Sequence, residues 1–262
     1  MNIDKDVVIE IQKRISNAER EHSATVIFAI ESGSRAWGFG SPNSDYDVRF
    51  VYINQLKWYL SIDLEMRRDV IEYKIIDDID INGWDLRKAL RLYGKSNPGI
   101  IEWLQSPLIY RDDGKLKNIL LNNLSDIYSC SSGLNHYLSM AKNNYRSYLQ
   151  TEIVPIKKYF YVLRPLLACE YIIKFQKAPP IEFDILLNAG DLENDLVDEI
   201  QVLLAKKKSV VEMSMEPAVE IINRYIEKKF EQYDKYLSGE NPESHSNKLE
   251  ILNDIFRSYL NL

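Results

Sequence analysis

Cysteine is scarce. Cys130 and Cys169 are the whole complement of a 262-residue chain, each in apolar or small-residue surroundings and without a CxxC spacing. That argues against a zinc site or a disulfide framework and for a reducing compartment. His22, His136 and His245 have no partners at ligand spacing and read as surface or capping residues. Long apolar runs are also missing. No stretch approaches the ~20 apolar residues that span a bilayer. The opening MNIDKDVVIEIQKR lacks the apolar run and small-residue cleavage site of a signal peptide. A cytoplasmic protein with no membrane partner is expected. Positive charge is in deficit, with 33 Lys and Arg against 39 Asp and Glu, a net −6. Coating nucleic acid rests on Lys and Arg neutralising phosphates, so extensive nonspecific DNA binding is not expected. A local basic cleft remains compatible with this balance. The 10 glycines and 9 prolines form no linker, repeat or low-complexity tract.

What is present is an ordinary globular balance, 45% hydrophobic and 27% charged, with an excess of tyrosine at 17 residues. Many tyrosines fall at helical spacing in the second half, where rings pack between helices. Residues 4–20 place Val7, Val8, Ile11 and Ile15 on one helical face. TVIFAIES (25–32) suits a buried strand, and DYDVRFVYI (45–53) alternates as a half-buried one. WYLSI (58–62), DVIEYKII (69–76) and DDIDI (77–81) read as further strand-like segments. Asn82 is placed to cap a helix with Asp85 in its first turn, and Asn97-Pro98 opens another. Beyond about residue 112 the pattern is helical, clearest over 133–149, 155–175, 195–208, 215–237 and 248–260, with Pro179-Pro180 as a break. The expected organisation is a small α/β domain (1–110) followed by a helical domain (111–262).

The chemistry concentrates in ESGSRAWGFGSPNSDYDVRFVY (31–52). Side chains at i and i+2 of a strand share a face, so Asp45 and Asp47 present paired carboxylates that repel one another unless a cation lies between them. Hard oxygen ligands of this kind suit Mg²⁺ or Mn²⁺, and such ions serve phosphoryl and nucleotidyl transfer. The preceding turn is the complement. Gly33 allows close backbone approach and Ser34 adds a hydroxyl, a candidate phosphate cradle. Arg35 and Ser44 flank the motif within reach of phosphate. Arg49 follows the aspartates on their own face, where it neutralises surplus carboxylate charge. Trp37 and Phe39 pack the turn.

An apolar strand, Gly33-Ser34, a spacer of about ten residues, then Asp45-Tyr46-Asp47 resembles the signature of the DNA polymerase β-like nucleotidyltransferases. GSRAWGFGSPNSDYDVRFVY, DDIDINGWDLRKALRLYGKSNPGIIEWLQSPLIY and KKYFYVLRPLLACEYI, in that order, look like the bacterial group named the RNA repair pathway DNA polymerase beta family. The resemblance covers about residues 25 to 190. It implies an α+β fold, a polymerase β-like nucleotidyltransferase mixed sheet with flanking helices followed by an all-helical domain. It also implies a third carboxylate on a neighbouring strand flanked by apolar residues. Ile79-Asp80-Ile81 has that form, so Asp80 is the choice, with Asp78 the runner-up, Glu72 weaker, and Asp85 better explained by capping. By resemblance, Asp45, Asp47 and Asp80 are the catalytic and metal-binding set. Gly33, Ser34, Arg35 and Ser44 hold the triphosphate, and Lys157 and Tyr161 supply a basic and a stacking contact from the helical part.

Lys157, Tyr161 and Arg164 share a helix face, as do Lys142 and Arg146; solvated basic faces are the competing explanation. The Lys206–Lys208 run reads as a solvated helix end. The implied activity is Mg²⁺- or Mn²⁺-dependent transfer of a nucleotidyl group from an NTP to a hydroxyl of RNA, protein or a small molecule. A catalytically silent nucleotide-binding regulator and a DxD glycosyltransferase are the rivals.

Overall fold

The structure is a computed structural model that describes residues 3–209, 215–239 and 247–262; His245 lies outside them. Helix α1 (Lys5–His22) begins where the Asp4 carboxylate accepts the Asp6 N–H, and it ends at Ser23 in the left-handed region. Its buried stripe, Ile11, Ile15 and Ala18, covers one face of a five-stranded sheet. The strands are β1 (Thr25–Glu31), β2 (Tyr46–Ile53), β3 (Val70–Glu72), β4 (Ile79–Asp85) and β5 (Ile109–Asp112). They lie in the order β3-β4-β2-β1-β5. β2 and β4 run parallel and the other neighbours antiparallel, so the sheet is mixed.

β1 is apolar almost throughout because both its faces are covered. Val26 and Ala29 face α1, whereas Ile27, Phe28 and Ile30 face the main core, with a bulge between Val26 and Phe28. β2 alternates as its sequence predicts, with Val48, Phe50 and Tyr52 toward α1 and Val51 toward the main core. In β4, Ile79 and Ile81 join the α1 side, and Gly83 leaves room for the Phe50 ring.

The other face of the sheet is covered by helices. Short helices α2 (Gly33–Ala36) and α3 (Leu56–Tyr59) lie within the sheet region, followed by α4 (Leu86–Gly94) and α5 (Pro98–Gln105). Asn97 caps α5 through the Gly99 N–H with Pro98 in the first position. Then come α6 (Leu116–Asn122), α7 (Leu124–Ile127), α8 (Cys130–Tyr148), β6 (Ile153–Pro155), α9 (Ile156–Phe175), α10 (Phe183–Ala189) and α11 (Asn194–Ser209). The chain closes with β7 (Met215–Pro217), α12 (Glu220–Ser238) and α13 (Lys248–Leu260). β6 and β7 pair antiparallel. One hydrophobic core runs from β1 and β2 through α4, α5, α8 and α9 to α13, and Tyr93, Tyr137, Tyr159 and Tyr233 are buried in it. These four are core rings, as their spacing predicts, whereas Tyr148 at the end of α8 is exposed. Among the described residues no helix is long and apolar enough to cross a membrane.

Four local expectations are corrected. Residues 58–62 are no strand: α3 turns the chain so that Tyr59 alone is buried while Leu60 and Ile62 point to solvent. The segment 69–76 forms only β3, and Asp77 and Asp78 adopt left-handed φ of 53° and 57°, a turn rather than the start of β4. Asn82 and Gly83 are strand residues that pair with Arg49 and Phe50; the helix opens later, with Asp85 as its cap accepting the Arg87 N–H. The helix expected from 215 starts at Glu220, because Met215–Pro217 pairs with β6 instead. β5 was not anticipated from the sequence at all.

Candidate active site

The turn after β1 and the starts of β2 and β4 meet on the face of the sheet opposite α1. Gly33 adopts φ +61°, and a Cβ there would lie 2.0 Å from Asp47 Oδ2. The position requires glycine on both counts. The Ser32 N–H donates to the Asp47 carbonyl at 2.8 Å, which fixes the turn against β2. Ser34 is buried, and its carbonyl accepts the Phe39 N–H at 3.0 Å.

The parallel register sets Asp47 directly beside Asp80. The side chains of both are 26% exposed. Arg49 lies between them. Its Nη2 donates to Asp47 Oδ1 at 3.2 Å and to Asp80 Oδ2 at 2.7 Å, and its Nη1 donates to the carbonyls of Val48 at 3.0 Å and Asp80 at 2.9 Å. Asp45 precedes β2 and is partly buried; its carboxylate makes no hydrogen bond or ion pair among the described residues. Asp78, in the left-handed turn, is tied to β2 by its carbonyl, which accepts the Tyr46 N–H at 2.7 Å. Glu72, at the end of β3, is exposed and pairs with Arg68. The register therefore brings Asp80, and neither Asp78 nor Glu72, next to Asp47.

Arg35 and Ser44 are buried, and both shape the loop leading to Asp45. Arg35 donates to the carbonyls of Ser44 at 2.6 Å and Asp45 at 3.2 Å, and its guanidinium lies 4.1 Å from the Tyr46 ring centroid. Ser44 Oγ accepts the Ser41 N–H at 3.0 Å. Lys207, the middle lysine of the run read as a solvated helix end, is buried and corrects that expectation. Its ammonium donates to the Phe39 carbonyl at 2.7 Å and to Ser44 Oγ at 3.2 Å.

Behind the site stands Glu31, the last residue of β1 and fully buried. It accepts the Asp47 N–H at 3.0 Å and the Tyr110 hydroxyl at 2.6 Å. Burial pushes its carboxyl up to about 7. Its signal in the sequence was a charged residue closing an apolar strand. Lys207 had no signal, because its partner loop lies far away in the chain.

The helical part reaches the turn through Trp37. Trp37 Nε1 donates to Glu102 Oε2 at 3.1 Å, and Arg164, itself buried, donates to Glu102 Oε1 at 2.8 Å. The Arg164 guanidinium also lies 4.5 Å from the Trp37 ring centroid. Tyr161 meets Trp37 edge-on at 5.5 Å, which brings this face of α9 to the Gly-Ser turn. Lys157 is one turn earlier on α9 and partly buried. The α9 face is therefore not a solvated basic stripe at Arg164. Lys142 pairs with Asp234 on α12 instead.

The donor set of Asp45, Asp47 and Asp80 is all oxygen, which fits a hard cation such as Mg²⁺ or Mn²⁺. The guanidinium between Asp47 and Asp80 shows that this spot accepts positive charge. Among the described residues no three His, Cys, Asp or Glu side chains are gathered for a metal ion. Two concavities among the described residues lie elsewhere, about 590 Å³ between α4 and α13 and about 630 Å³ between α11 and α12. Neither is lined by Asp45, Asp47 or Asp80.

A mixed sheet carrying a Gly-Ser turn and facing aspartates on adjacent parallel strands, followed by helices, is a polymerase β-like nucleotidyltransferase fold. Residues 7–258 match the RNA repair pathway DNA polymerase beta family, and the chain belongs to it. It is also similar to a Bacillus subtilis (strain 168) protein, "Uncharacterized protein YcgL". The two are 43% identical over 228 residues, covering 87% of this chain and 86% of that one. The family description points to a nucleotidyltransferase and names no donor, metal or acceptor.

Proposed function

We propose that the protein transfers a nucleotidyl group from an NTP to an acceptor hydroxyl. The observation that carries this reading is the register that sets Asp80 beside Asp47, next to a glycine whose missing side chain makes room for the Asp47 carboxylate. The acceptor oxygen would bond to the α-phosphorus as the bond to the β-phosphate oxygen breaks, releasing pyrophosphate. Asp80 would take the hydroxyl proton. The turn at Gly33 and Ser34 would hold the triphosphate, with Lys157 and Tyr161 closing on it from α9. Asp45 and Asp47, with Asp80, would hold a Mg²⁺ or Mn²⁺ ion, which would screen the triphosphate and polarise the reacting oxygens. An RNA end is the first acceptor to try, given the family description.

Arg35 and Ser44 enter this reading through the loop they shape, since their polar groups are engaged with it. The ion pairs of Arg49 favour one rival, a regulator that binds nucleotide without turnover. Thermal unfolding with each NTP, with and without Mg²⁺, beside Asp45→Ala/Asp47→Ala, is the first test. Ligand at about 100 times its Kd adds about 2.7 kcal/mol. That is a rise of roughly 5–10 °C in a chain of this size. A metal-dependent rise lost in the double variant supports the reading, and pyrophosphate release then separates enzyme from regulator. No rise with any NTP would sink it.

A further inference from the structure

The geometry points to Arg49 as a built-in competitor for a divalent cation at Asp47 and Asp80, so that a second ion enters only by displacing its guanidinium. This rests on the nucleotidyltransferase reading of the site and assigns one further residue to it. Three facts carry it. Arg49 Nη2 bonds one oxygen of each aspartate, at 3.2 and 2.7 Å, so the guanidinium bridges the two carboxylates as a shared cation does. The other oxygen of Asp47 lies against Gly33, where a Cβ would come within 2.0 Å of it. Asp47 thus offers little free carboxylate toward Asp80 while Arg49 stays. Asp45, by contrast, has its carboxylate unengaged among the described residues.

The charge balance gives the direction. A guanidinium contributes one positive charge against the two carboxylates it touches, so it relieves their repulsion only in part. A divalent ion carries more charge and suits the same hard oxygens. The Arg49 side chain is 17% exposed and the two carboxylates 26%, so the exchange happens at a surface open to water. Asp45 is the carboxylate of the three that stands outside this bridge. The Asp47–Asp80 subsite is the gated one.

The test uses full-length, EDTA-treated protein without nucleotide. Mn²⁺ uptake is followed by the electron paramagnetic resonance signal of the free ion. Wild type, Arg49→Gln, Arg49→Lys and Asp45→Asn/Asp47→Asn are compared. The Arg49→Gln variant is expected to take up a further Mn²⁺, or to bind it at least about tenfold more tightly, as expected when a positive charge within hydrogen-bonding distance of both ligands is lost. Arg49→Lys, which keeps the charge but loses the Nη1 donations to the Val48 and Asp80 carbonyls that hold the guanidinium in place, should fall between. Metal-free unfolding temperatures accompany each titration. A merely structural Arg49 lowers that temperature in the Gln variant without any gain of Mn²⁺, and this overturns the inference. Equal Mn²⁺ binding in wild type and Arg49→Gln overturns it too. If wild type still binds Mn²⁺ and loses it in Asp45→Asn/Asp47→Asn, the functional reading survives that failure. Absence of Mn²⁺ from every protein removes both. Should Arg49→Gln not fold, Arg49→Lys decides by the same comparison.

Discussion

Gly33 and Gly38 offer a controlled pair at the scale of single residues. Both have positive φ, +61° and +88°, but only at Gly33 does a Cβ meet something, Asp47 Oδ2 at 2.0 Å and Cγ at 2.9 Å. Alanine at either site brings a left-handed backbone penalty of about 1–2 kcal/mol. Gly38→Ala is expected to show that alone, a fall of roughly 2–8 °C in Tm. Gly33→Ala must also push Asp47 away, so it should fall further and lose the Mg²⁺-dependent nucleotide response that Gly38→Ala keeps. Differential scanning fluorimetry with and without nucleotide reads both. If Gly33→Ala keeps that response, Asp47 does not depend on the glycine. The need for glycine was legible in the sequence, because close approach before a carboxylate pair is a local pattern. The burial of Glu31 was not legible, since it follows from Tyr110 arriving on a strand that carries no strong signal of its own.

Among elements, the junction of β4 and α4 is the instructive case. Asn82-Gly83 looked like a helix start, yet the pairing of β4 with β2 on one side and β3 on the other keeps these residues extended. The cap is Asp85, fully buried, which also accepts hydrogen bonds from Tyr59 at 2.7 Å and Asn54 at 2.9 Å. Asp85→Ala removes a cap and orphans the buried Tyr59 hydroxyl and the half-buried Asn54 amide, an expected cost of about 2–4 kcal/mol in urea unfolding. Burial raises the Asp85 carboxyl above its ordinary 3.8. The folded protein therefore holds that proton more tightly than the unfolded chain. Stability contributed by Asp85 is fullest below 3.8 and declines as pH rises through the folded value. The stability of wild type minus that of Asp85→Asn should decline over that acid window and then level off; a rise there would contradict the assignment. Helices α5, α8, α9 and α13 were legible from caps and periodicity. The strands were less so, because register and partners are decided by residues distant in sequence.

For the molecule as a whole, the Gly-Ser turn is not a property of the sheet alone. The Glu102 carboxylate gathers Trp37 from the turn, Tyr137 from α8 and Arg164 from α9. Arg164→Met leaves Glu102 buried without its cation, an expected loss of about 3–5 kcal/mol. The pair Glu102→Met/Arg164→Met should cost less than the sum of its single changes, a coupling that a double-mutant cycle measures. Strict additivity would show that the two do not act as a unit. None of this was readable from sequence, where Arg164 sat on an apparently basic stripe. The same long reach governs the loop before Asp45, which waits on Lys207, 163 positions after Ser44. At about 5–20 residues per second, a ribosome adds that stretch in roughly 8–33 s. Throughout that interval the nascent chain carries Asp45 on a loop that still lacks its far anchor, so the site is completed late in synthesis.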